Sequence, residues 1–159
     1  MPAPTDPKRL QVINRVVAVL QAITAGASYF YTPYAVVKRF FHWKEVTGFP
    51  VYMVFSDSGG SIVLAGAPDL YDEDFYINIK GYVQDNNDTV TVLERAIRDV
   101  QYAINQDSKS GVAGTLGTLA IETRMEESPE TDNGYLSLEG FGFFDMRIRV
   151  KISGDYGEI

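Results

Sequence analysis

Residues 57–60, Asp-Ser-Gly-Gly, have the types best suited to covalent chemistry in this chain. A serine becomes a nucleophile when a histidine takes its proton and an acid orients that histidine. His42 is the only histidine and stands upstream in an aromatic run. Because such motif fragments do not transfer between folds, and because little chain precedes Ser58 for a two-barrel protease scaffold, a serine hydrolase is only the distant alternative. The glycines predict a tight turn.

Metal and phosphate signals are incomplete as well. Residues 85–88, Asp-Asn-Asn-Asp, begin like a calcium loop, but Val90 stands where the loop needs glycine, and no acid closes it. The glycines of Gly111–Gly117 have no lysine after them, as a phosphate-binding loop would require. Cysteine is absent, which excludes thiolate zinc sites. The sequence therefore predicts no catalytic residue, no cofactor and no metal.

Length and charge limit the class of protein. With 159 residues the chain predicts a single domain, with a loose N-terminal arm at 1–5 and a frayed C-terminal tail at 153–159. A net charge of −7 disfavours a DNA-binding surface. No apolar run has the length of a membrane span, so a soluble, unexported product is expected. Ten tyrosines and nine phenylalanines exceed what one core needs and indicate a protein partner.

The elements that would position any site are organised around one amphipathic helix, Asp88–Ile104. Apolar residues recur there at spacings of three and four, and both Asp88 and a Thr91–Glu94 capping box could begin the helix. Glu94, Arg95, Arg98, Asp99 and Gln101 are assigned to its polar face. A first helix is predicted from Asp6 as N-cap to about Ala25, with Gly26 as its stop.

Strand-like runs surround these helices. They are an edge strand near Ala35–Phe40, Val51–Ser56 with a turn into a second run at 61–66, Phe75–Val83, a run at 119–127 and a long strand at Tyr135–Ile152. Runs of strands, rather than strict alternation with helices, favour an α+β fold. We expect an antiparallel or mixed β-sheet with two amphipathic helices packed on one face.

Two polar stretches and one basic strand face are the candidate assembly surfaces. The acidic loop at 126–135 contains Glu126, Glu127, Glu130 and Asp132, and the Gly/Ser loop at 108–117 contains Lys109 and Thr115. Their low apolar content predicts that both loops project from the body of the protein. Arg147, Arg149 and Lys151 alternate along the last strand and should meet acids of an adjacent subunit or strand.

The order of these elements resembles the tail terminator (tail completion) proteins of tailed bacteriophages. The resemblance covers about Gln11 to Lys151, and its most specific parts are Leu93–Ile104 (LERAIRDVQYAI) and Gly140–Val150 (GFGFFDMRIRV). It implies an α+β subunit without catalytic residues that forms a homohexameric ring. Such a ring caps the tail tube, ends its polymerisation and offers the docking surface for the head connector. In such a ring, the loops at 126–135 and 108–117 would project toward the lumen or toward the next ring.

The resemblance also implies partners and a location. They are a second copy of the chain, the tail tube protein and the head completion or connector protein, with DNA passing through the lumen without sequence-specific binding and with no membrane contact. The protein would be made in the host cytoplasm and reside in the tail–neck region of the virion. The alternatives are a tail tube subunit, a head completion (neck) protein and, outside virion structure, a monomeric binding module or the Ser58–His42 hydrolase.

Overall fold

Two long strands, β3 (Leu70–Gln84) and β6 (Phe141–Asp155), pair antiparallel along their whole length at the centre of one sheet. The computed structural model describes residues 3–66, 70–107, 116, 119–125, 128–132 and 140–155. The other elements in these ranges are α1 (Lys8–Gln21), β1 (Ala35–Val37), a short 3-10 helix (Trp43–Glu45), β2 (Val51–Leu64), α2 (Thr89–Gln106), β4 (Glu122–Met125) and β5 (Glu130–Asp132).

The six strands of the described residues form one mixed sheet in the order β1-β2-β3-β6, with β4 and β5 both pairing with the far edge of β6. Only β1 runs parallel to its neighbour, and the other pairs are antiparallel. The α+β class with a mixed sheet and two helices is confirmed. The edge strand near 35–40 is also present, although it is shorter than expected.

The alternating residues of β3 and β6 that share one face build the hydrophobic core. They are Phe75, Ile77, Ile79 and Val83 on β3 and Phe144, Met146, Ile148, Val150 and Ile152 on β6. The buried side chains of α1 and α2 belong to the same cluster. We call this side of the sheet the core face and the other side the opposite face. That both helices pack on one face stays a prediction.

Helix α2 begins at Thr89 with Asp88 as its N-cap, because the Asp88 carboxylate accepts a hydrogen bond from the backbone N–H of Thr91 at 3.1 Å. The capping box at Thr91 and Glu94 is therefore not the start of the helix. All six apolar residues of the predicted stripe are buried, namely Leu93, Ala96, Ile97, Val100, Ala103 and Ile104. Full burial of one large aliphatic side chain contributes roughly 1.5–3 kcal/mol, so the stripe attaches this helix to the sheet.

The first helix is shorter than predicted. It begins at Lys8 with Pro7 as its N-cap, so Asp6 does not cap it, and it ends at Gln21 rather than near Ala25. Beyond its end, the backbone N–H of Ala25 donates to the Thr32 hydroxyl at 2.8 Å. The chain thus turns back on itself where the helix was expected to continue.

Strand β2 corrects the predicted turn at residues 57–60. Val51–Leu64 is one strand, with a register shift against β3 between Asp57 and Gly60. Gly59 and Gly60 have φ angles of +100° and +106°, and a Cβ on Gly60 would lie 1.9 Å from the Asp74 carbonyl oxygen. The glycines are needed for a β-bulge rather than for a turn.

The C-terminal part of the chain is also more ordered than expected. The predicted tail at 153–159 is wrong for residues 153–155, which continue β6 and pair with the start of β3. The long final strand is described from Phe141 onward, and among the described residues 119–125 of the predicted run, Glu122–Met125 form a strand. Residues 126–127 of that run lie outside the described ranges. Residues 133–139 and 156–159 lie outside the described ranges.

Candidate assembly surfaces

The two predicted assembly loops are only partly within the described chain. Lys109, Thr115, Glu126 and Glu127 lie outside it. Glu130 and Asp132 are described, but they belong to a strand and not to a loop, because β5 pairs with residues 143–145 of β6. Both acids are exposed. They therefore form part of an acidic sheet edge.

The basic residues of β6 lie on the opposite face and pair with acids of neighbouring strands. Arg149 contacts the Asp74 carboxylate at 2.6 Å, Arg147 contacts Asp57 at 3.3 Å, and Lys151 contacts Asp72 at 3.6 Å. Lys80 and Asp145 form a further pair at 2.7 Å. The acidic partners expected on an adjacent subunit or strand are thus found on neighbouring strands of the same chain.

Aromatic side chains cover the opposite face near Phe141, where β6 begins. The Trp43 and Phe49 rings both contact Phe141, at centroid distances of 6.3 and 5.4 Å, and the backbone N–H of Phe41 contacts the Met53 sulfur at 3.2 Å. Residues 41–49 therefore explain part of the aromatic surplus. The sequence pattern did not reveal this because residues 38–49 follow neither helical nor strand periodicity.

A buried carboxylate on α2 is the residue that sequence reasoning missed. Asp99 was assigned to the polar face of the helix, yet its side chain is fully buried. Its two oxygens accept hydrogen bonds from the backbone N–H groups of Phe30 and Tyr31 at 2.9–3.1 Å. A buried charge that is well hydrogen-bonded can be stable, and here it fixes the connection between α1 and β1 onto α2.

Beside this anchor, aromatic and cationic side chains share the outer surface of α2. The guanidinium carbons of Arg95 and Arg98 lie 4.9 and 5.8 Å from the centre of the Phe30 ring, and Arg98 lies 4.3 Å from that of Tyr102. Phe30 remains 49% exposed. We call these four residues the Arg–Phe ridge.

A cleft of about 520 Å³ adjoins the ridge. It is lined by Arg98, Tyr102 and two carboxamide side chains of α2, by Thr123 of β4, and by apolar side chains of α2, β4 and β6. The two carboxamides are Gln101 and Asn105, and the apolar residues are Ile104, Met125 and Ile148. A cleft with this lining suits an apolar or aromatic group better than a highly charged one.

Ser58 and His42 lie on different elements. Ser58 belongs to the bulge of β2, whereas His42 precedes the 3-10 helix, where its Nδ1 accepts a hydrogen bond from the backbone N–H of Lys44 at 3.2 Å. No carboxylate of the described residues lies within ion-pair distance of His42. An acid that could orient this histidine is thus not found in that part of the chain.

Comparison with known proteins gave no match, either with protein-family models or with curated proteins. Within the described ranges, no group of three or more His, Asp or Glu side chains could hold a metal ion. None of the helices described has both the length and the apolar character needed to cross a bilayer.

Proposed function

We propose that this chain is a structural subunit of a phage tail, a tail terminator that forms a homohexameric ring. The ring would cap the tail tube, end its polymerisation and provide the surface on which the head connector docks. In this role the chain acts by presenting surfaces to its own copies and to other virion proteins.

The observation that carries this proposal is the position of the two segments that most resemble the terminator family. Leu93–Ile104 lies in the central helix and Gly140–Val150 includes most of the central strand. Their apolar residues, including Ile97, Val100, Met146 and Ile148, belong to one buried cluster. The resemblance thus involves the parts of the chain that determine the fold, rather than its loops.

The electrostatics support passage of DNA without specific binding. The chain carries a net charge of −7, and the cations of β6 are paired with acids of the same sheet. A surface that binds nucleic acid would instead present unpaired Lys and Arg side chains to phosphates. A ring of such subunits would repel the DNA backbone from its walls.

Negative-stain electron microscopy of the purified protein, alone and with its tail tube protein, tests the proposal. We expect single six-fold rings and tubes that carry one ring at an end and stop growing. Long tubes made of this chain alone would instead identify a tube subunit. Binding to the head connector without binding to tube ends would identify a neck protein.

Light scattering at micromolar concentration separates a ring former from a monomeric binding module. The measurement is made with and without tube protein, because some rings close only on the tube end. A chain that stays monomeric in both samples would contradict the proposed function.

A further inference from the structure

The Arg–Phe ridge is a cationic and aromatic surface on an acidic chain. Arg95 and Arg98 are three residues apart on α2, so both side chains project from the same side of the helix. Both are exposed, and the Phe30 ring lies against both guanidinium groups. Arginine and aromatic residues are the types most enriched at the energetic centres of protein interfaces.

The ridge is held in place before any partner binds. Asp99 accepts hydrogen bonds from the backbone of Phe30 and Tyr31, and Arg98 donates one to the carbonyl oxygen of Ser28. The Tyr29 ring packs edge-on against Tyr102 at 5.5 Å. Because these contacts already order the 28–31 segment, docking would cost little conformational entropy.

The charge of the ridge is only partly balanced within the chain. No carboxylate of the described residues lies within ion-pair distance of Arg95, and the acid nearest Arg98 is Asp99 at 3.4 Å. The Asp99 carboxylate is buried and already accepts backbone hydrogen bonds. The outward side of the ridge is therefore complementary to an acidic surface.

An acidic surface of this kind lies on the opposite face of the sheet, at the edge where β5 pairs with β6. Its exposed acids are Glu130 and Asp132 on β5, and we call them the acidic edge. Glu122 on the neighbouring β4 is exposed as well, but its carboxylate pairs with Arg124 of the same strand. In the register of the sheet, Glu130 and Asp132 align with Asp145 and Phe143, so they belong to the opposite face. Among the described residues, neither Glu130 nor Asp132 forms an ion pair with Arg95 or Arg98 of the same chain.

We infer that the Arg–Phe ridge of one chain docks the acidic edge of a second copy. A contact between two different surfaces repeats from copy to copy, and it closes into a ring when the rotation allows. Closure at six copies rests on the proposed function, whereas the pairing of these two surfaces does not. The adjoining cleft would accept an apolar or aromatic side chain of the same neighbour.

Charge reversal at Arg95 is the direct test. Self-association of Arg95→Glu is measured by light scattering and analytical ultracentrifugation, for the free chain and on tube ends. We expect the association constant to fall roughly tenfold or more, because the variant places an acid against acids. Lys44→Glu is the matched control, since it changes the net charge equally away from the ridge, and both variants should melt at the wild-type temperature.

The combined variant Arg95→Glu with Glu130→Arg should restore association by exchanging the two charges. Association of Arg95→Glu at wild-type strength would overturn the inference, as would failure of the combined variant to recover. A ring that forms normally in Arg95→Glu but no longer binds the tube would also overturn it, because the ridge would then serve the tube protein.

The two proposals fail in different ways. If Arg95→Glu still caps tubes as intact rings, the inference is wrong and the proposed function stands. If wild-type oligomers depend on Arg95 but do not cap tubes, the pairing of the surfaces stands and the proposed function is wrong. Absence of self-association under both conditions overturns the inference.

Discussion

The Asp99 carboxylate lies 2.9 Å from the backbone nitrogen of Phe30, although the two residues are 69 positions apart in the chain. This hydrogen bond joins the segment after α1 to the middle of α2. The side chain of Asp99 that accepts this hydrogen bond is fully buried. Asp99 therefore helps both to attach this segment and to position the Phe30 ring.

Asp99→Ala should lower the free energy of unfolding by about 2 kcal/mol, because two partly buried backbone N–H groups lose a charged acceptor. Urea denaturation measures the change. Asp99→Asn keeps the shape and one acceptor oxygen, so its loss should be smaller. Glu94→Ala, on the exposed side of the same helix, should stay within about 0.5 kcal/mol of the wild type. Equal losses for Asp99→Ala and Glu94→Ala would contradict the role of Asp99.

The bulge of β2 makes Gly60 irreplaceable by residues with a side chain. Gly60→Ala should cost about 2–4 kcal/mol, since φ is +106° and the new Cβ would collide with the backbone of Asp74. Gly26→Ala is the control, because a Cβ there would meet nothing within 4 Å. Thermal and urea unfolding of the pair should separate them clearly. Similar stability of both variants would show that the bulge tolerates a side chain.

Periodicity predicted the helix and the central strands because buried residues recur at regular spacing, every three or four positions in the helix and every second position in the strands. The apolar stripe of α2 and the alternation along β6 were both read correctly. The prediction that Asp99 lies on the polar face is wrong, because its side chain is polar but its position is buried. Asp99 lies three residues after Ala96 and four before Ala103, so the helical spacing itself places it on the buried stripe.

Local sequence could not distinguish a turn from a bulge at Gly59 and Gly60. Both structures use glycine with positive φ, and the choice depends on β3 being long enough to pair with both halves of β2. The pairs between the basic residues of β6 and Asp57, Asp72 and Asp74 also depend on this register. The candidate surface on α2 could not be predicted either, because Phe30 reaches it through a segment without periodicity.

Glu73 should make stability depend on pH. Burial raises the pKa of its carboxyl above the ordinary value of 4.5, and the Arg9 guanidinium at 3.3 Å offsets this only in part. The folded chain therefore holds this proton more tightly than the unfolded chain. The resulting stabilisation is complete below the unfolded pKa and is lost as the pH rises through the folded pKa.

Glu73→Gln removes this titration, so its stability relative to wild type should increase between about pH 4 and about pH 7. Arg9→Ala should have the reverse effect, because the carboxylate then loses its cation and its pKa rises further. Urea unfolding across this pH range gives both slopes. If the variants and the wild type show parallel pH profiles, Glu73 is not the group responsible.

The ion pairs of the opposite face should differ in strength according to their geometry. Arg149 and Asp74 are 2.6 Å apart and partly buried, so a double-mutant cycle with alanine should give a coupling of about 1 kcal/mol. Lys151 and Asp72 are 3.6 Å apart and more exposed, and their coupling should be below about 0.5 kcal/mol. Both couplings should weaken as salt is raised.

Urea unfolding of the isolated chain supplies all the values, and equal couplings would contradict the ranking. A coupling between Arg149 and Asp74 that is measurable only in the assembled ring would mean that the acid belongs to a neighbouring copy, since a pair within one chain must stabilise the isolated chain as well.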